Sequence, residues 1–173
     1  MTQLIALLLA GVLFAPSVQN PSQAVESPNC SRDASCRVSH ETLQGTWRVN
    51  VTLVNCKTGA FLRGPFLSLL TFADGGTMTE TTSNPSFYPA VRSPGHGVWR
   101  RQDRAKYGAS TIALITQSGV LTEIQVINQT IELQPGADEF RTLTASVHFY
   151  KPDGTPLPVS GCASAVGKRF ELM

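Results

Sequence analysis

Three groups of side chains in this sequence could do chemistry by type and spacing: a histidine between glycines, two glutamates on strand-like runs, and four cysteines. His96 stands in Ser93-Pro94-Gly95-His96-Gly97-Val98-Trp99, which joins a potential general base, an aromatic ring and a glycine-flanked loop. It is the one candidate acid–base residue, and a turn or capping histidine is the competing reading of the same run. Glu80 and Glu123 could meet inside a barrel as paired carboxylates, although solvated strand positions are the expectation for both. His40 and His148 form no metal-ligand spacing with His96, and no C-x-x-C is present, so no metal is expected. Nucleophile motifs such as Gly-x-Ser-x-Gly and Gly-rich phosphate loops are missing as well. No catalytic residue is therefore assigned beyond the candidate His96, and no cofactor is expected.

The 173 residues suit one domain preceded by a targeting segment. Leu4 to Phe14 is an apolar run too short to span a bilayer, and Pro16 to Gln23 is polar, with Ser22 two residues before Ala24. This pattern reads as a signal peptide over residues 1–24, cleaved after Ala24. An N-terminal arm over 25–44 and a β domain over 45–173 follow. Localisation is expected to be exported, either secreted or periplasmic, with no membrane span.

In an oxidising compartment four cysteines argue for two disulfides, and four allow three connectivities. A strand pairing that sets Trp47 opposite Arg169 nearly sets Cys56 opposite Cys162 as well, which favours that bridge and leaves Cys30 with Cys36. Free buried thiols are the alternative. The net charge of +2 and the single basic cluster at Arg100, Arg101, Arg104 and Lys106 argue against nucleic acid as a partner.

Eight strand-like runs are separated by turn residues: Gly45 to Asn55, Pro65 to Phe72, Thr77 to Ser83, His96 to Arg101, Thr111 to Thr116, Leu121 to Glu132, Glu139 to Tyr150 and Gly161 to Leu172. Trp47, Val49, Val51 and Leu53 alternate with Arg48, Asn50 and Thr52, and Leu143, Ala145, Val147 and Phe149 alternate with polar residues in the seventh run. One face of each strand is dry and the other wet. Pairing of the first run with the last closes the sheet, so the fold class is all-β: an eight-stranded up-and-down antiparallel barrel. Such a path gathers the longer, Pro-rich and aromatic-bearing loops at one end, including Asn84 to Gly95 with Phe87-Tyr88-Pro89, and that end is the expected mouth.

Gly45-Thr46-Trp47 in a first strand with Arg169 late in the last resembles the signature of the lipocalins and wider calycin barrels. The runs at 45 to 47, 74 to 77 and 93 to 99 resemble those of exported, uncharacterised bacterial lipocalin-like proteins. The resemblance implies that Trp47 plugs the closed end with Arg169 packed across its ring, and that Gly45, Trp47 and Arg169 are structural. It also implies binding of a small apolar or amphipathic molecule. The expected lining is Trp47, Val49, Val51, Trp99 and Phe149, with Phe87, Tyr88 and His96 at the mouth. Two other functions compete with binding: an isomerase- or cyclase-type enzyme using His96, and a solidly packed barrel that meets a protein partner.

Overall fold

The structure is a computed structural model and describes residues 42–171. The expected signal segment, Cys30, Cys36, His40 and most of the arm lie outside the described residues. Nine strands follow one another: β1 (Gly45–Val54), β2 (Phe61–Phe72), β3 (Thr77–Thr82), β4 (Val91–Arg92), β5 (Gly95–Arg101), β6 (Lys106–Gln117), β7 (Val120–Leu133), β8 (Glu139–Tyr150) and β9 (Pro156–Arg169). β4 and β5 lie along the same edge of β6, pairing with Thr116 and Ile115 and with Ile112 to Tyr107 respectively, so they form one interrupted stave. Every stave pairs antiparallel with its neighbour, and β9 returns to β1. The result is a closed eight-stranded up-and-down barrel with no open sheet edge along its main staves.

The closing register sets Trp47 opposite Arg169, as the sequence suggests, and continues without a shift to Val54 opposite Cys162. Cys56 therefore lies two residues beyond the partner of Cys162, outside β1, and reaches it diagonally: the two form a disulfide with Cα atoms 5.1 Å apart. That offset is the two-residue difference between the Trp47–Arg169 and Cys56–Cys162 alignments in the sequence, and the expected bridge is present.

Local chemistry explains the turns. Gly75 and Gly76 between β2 and β3 have φ of 81° and 84°, and Gly154 between β8 and β9 has φ of 86°, values that L side chains rarely adopt. Asp74 accepts from the Gly75 amide and from Gln44 Nε2. In the β8–β9 turn Asp153 accepts from the amide of Thr155; hydrogen bonds from the Thr155 backbone and hydroxyl hold this carboxyl below its ordinary range.

One parity expectation fails. Leu143 is exposed instead of sharing the inner face with Ala145, Val147 and Phe149. The cause is a β-bulge: the β8–β9 register shifts between Thr142 and Ala145, and the β7–β8 register shifts beside Thr144. The bulge turns Thr142 inward, where its Oγ1 is buried without a hydrogen-bond partner among the described residues.

Candidate functional site

One end of the barrel is filled. Trp47, Phe72, Tyr107, Phe140, Ile131 and Leu43 are all buried there, and Trp99 packs against them. The rings meet edge-on, with Trp47 and Phe140 centroids 4.9 Å apart and Phe72 and Trp99 5.8 Å apart. Each such contact adds about 0.5–1.5 kcal/mol to the area buried. Arg169 closes this end. Its guanidinium lies 4.3 Å from the Trp47 ring centroid and donates to the carbonyls of Thr42, Gln44 and Ala137. Burial pushes the guanidinium down from its ordinary pKa, with Asp138 acting in the opposite sense. Gly45 has φ of 119°, and a Cβ there would stand 2.9 Å from Arg169 Nη1, which accounts for glycine two residues before the tryptophan. The last residues of the expected arm join in: Leu43 is fully buried and its carbonyl accepts from Trp47 Nε1 at 2.9 Å.

Above this plug the interior is hollow, with a cavity of about 360 Å³. That volume lies within the range of small-molecule pockets. β1 contributes Val49, Val51 and Leu53, β2 contributes Phe66 and Leu70, β7 contributes Ile127, and β8 contributes Val147 and Phe149. Ala145, Gly161, Ala163 and Ala165 line the β8–β9 side, and their small side chains leave the space unfilled. Toward the loop-bearing end the lining includes Asn84, Ser86 and Phe87 of the β3–β4 connection. That connection is tied down by Asn84 Oδ1 accepting from the Ser86 amide and by Arg63 Nη1 donating to Ser86 Oγ.

The wall also carries a buried polar cluster. Arg92 reaches inward from β4 and donates through Nη2 to Glu80 Oε2 at 2.5 Å, through Nε to Gln125 Oε1 at 2.6 Å and through Nη1 to the Ser93 carbonyl at 3.1 Å. The Arg92 and Glu80 side chains are 4% and 9% exposed, so the pair is shielded from solvent on nearly all sides. The Phe87 ring lies 5.8 Å from the guanidinium carbon. Gly95 makes room beneath: a Cβ there would lie 2.7 Å from Glu80 Oε2 and 3.4 Å from Arg92 Nη2.

This geometry reassigns the Ser93–Trp99 run. Ser93 bonds to Leu114 through both its backbone amide and its hydroxyl, fixing the interruption between β4 and β5. Gly97 is required because a Cβ would collide with the Ser110 carbonyl on β6. His96 pairs with Ile112 and Thr79, is exposed, and does not line the cavity. Its expected place at the mouth is thus corrected by strand parity, since glycines 95 and 97 face inward and residue 96 outward.

Of the other expected lining residues, Val49, Val51, Phe87 and Phe149 meet around the cavity. Trp47 and Trp99 belong to the packed end below it, and Tyr88 is 88% exposed. Glu80 is corrected from a solvated to a buried residue, and Glu123 also faces the cavity. Arg92 and Gln125 belong to no motif in the sequence. A signal for them existed: Met78, Glu80 and Thr82 share one parity, and a carboxylate on the face of Met78 requires an interior cation.

Among the described residues no group of His, Cys, Asp and Glu is arranged to hold a metal ion, and no helix is long and apolar enough to cross a membrane. The closed eight-stranded antiparallel barrel is consistent with a lipocalin-like fold. No protein-family model matches the chain, and no curated protein matches it in sequence.

Proposed function

We propose that the chain is an exported, lipocalin-type binding protein that holds one small amphipathic molecule inside the barrel. The observation that carries this reading is the 360 Å³ interior cavity, apolar on the β1, β2 and β8 sides and bearing charged groups on one wall. Each 100 Å² of apolar ligand surface removed from water there contributes about 2.5 kcal/mol before the cost of association. The Arg92, Glu80 and Gln125 cluster supplies fixed polar contacts that orient one end of the ligand.

In this reading residues 1–24 are the export signal and 25–44 an arm whose end seals the closed face. The Cys56–Cys162 disulfide fits an oxidising compartment. An isomerase or cyclase working through His96 lacks support, because that imidazole lies on the outer wall.

Native mass spectrometry of the oxidised protein, purified from its exported fraction, tests the proposal. A discrete adduct released on denaturation is expected. Apo protein that also takes up no apolar dye would overturn it.

A further inference from the structure

The charges facing the cavity restrict which head group it accepts. They come from three elements: Glu80 on β3, Arg92 on β4 and Glu123 on β7; β1, β2, β6, β8 and β9 contribute only apolar or neutral residues to the lining. Arg92 is already matched, with Glu80 as its ion pair and with Nε, Nη1 and Nη2 each donating a hydrogen bond. The Glu123 carboxylate has no hydrogen-bond or ion-pair partner among the described residues. The guanidinium is turned to Glu80 on β3 and to Gln125, two residues along β7 from Glu123, and it makes no ion pair with Glu123. With both glutamates as carboxylates, the cavity wall carries one negative charge in excess.

Resting on the binding function proposed above, we propose that the ligand is a cationic amphiphile, an amine on an apolar body, with Glu123 as the counter-ion of its ammonium group. The Arg92–Glu80–Gln125 cluster is the fixed polar wall beside that group. An anionic amphiphile entering the same space meets a guanidinium whose charge is spent on Glu80, together with the unpaired Glu123 carboxylate. Repulsion from that carboxylate disfavours it. An uncharged alcohol meets neither the attraction nor the repulsion and falls between the two.

The test uses decylammonium, decanol and decanoate, which share one chain length, in displacement of an apolar fluorophore from the oxidised protein at pH 7. Decylammonium should bind at least about tenfold more tightly than decanoate, equivalent to about 1.4 kcal/mol, with decanol intermediate. Glu123→Gln should bring decylammonium close to decanol, and Glu123→Asp should retain the preference. Decanoate binding as tightly as decylammonium, or a preference that survives Glu123→Gln, overturns the head-group assignment alone. A bound fluorophore that none of the three displaces overturns the head-group assignment alone, whereas failure of the fluorophore itself to bind overturns the binding function as well.

Discussion

Replacing Arg92 with Leu leaves the Glu80 carboxylate buried without its cation, and Glu80→Leu does the converse. The two side chains are 4% and 9% exposed and 2.5 Å apart, so neither can recover its hydration without opening the barrel. Removing one partner of such a pair costs about 3–5 kcal/mol, whereas replacing both with apolar residues of similar volume is often close to neutral. The single variants should therefore each lose about 3–5 kcal/mol, and the double variant markedly less than their sum. Arg92→Leu also frees Gln125 Oε1 and the Ser93 carbonyl, so it should be the more damaging single change. Urea unfolding followed by tryptophan fluorescence reads this directly. With a slope of about 2 kcal/mol per molar, the midpoint should fall by about 1.5–2.5 M for each single variant. Single losses below about 1 kcal/mol that simply add in the double variant would mean a solvated, uncoupled pair and would refute the reasoning.

Arg169→Leu removes the stack on Trp47 and the donors to three backbone carbonyls, and should cost about 3–4 kcal/mol in the same unfolding assay, with Arg169→Lys recovering less than half because one ammonium cannot reproduce the fork. Reduction of the Cys56–Cys162 bridge, which spans a sequence separation of 106, should lower unfolding stability by up to about 4–5 kcal/mol, as measured with and without reductant. His96→Ala should leave apolar-probe affinity within about twofold of the parent in a fluorescence titration, since an exposed outer-wall side chain contributes little to an interior site.

The barrel itself was largely legible in the sequence. Alternation in Gly45 to Val54 and the turn residues at Asp74–Gly76 and Asp153–Gly154 carry strand and hairpin information locally, and the Trp47–Arg169 pairing that closes the sheet follows from two landmark residues. Strand ends were less so. β6 begins at Lys106 and not Thr111, and β9 at Pro156 and not Gly161, because pairing with a neighbour recruits residues whose own propensity does not announce a strand. Leu143 shows how one bulge overrides a correct local pattern. The site was hidden for a related reason. Arg92 sits at the interruption between β4 and β5, where period-2 reasoning has no purchase, and its role depends on the small surface of Gly95 and on Glu80, a dozen residues upstream on another strand. That the interior is hollow follows from Ala145, Gly161 and Ala163 coming together, a matter of packing that no single strand reveals.

The central claim is that the upper half of the barrel is a binding cavity and not a packed core, and an apolar fluorophore titrated into the parent and into cavity-filled variants tests it most directly. Ala145→Trp and Ala163→Phe place new rings into that space from β8 and β9, with denaturant unfolding run alongside to establish that each variant folds. One saturable site per parent molecule, weakened at least about tenfold in folded filled variants, is the expected result. Equal uptake by parent and filled variants, or no uptake by the parent, would contradict it.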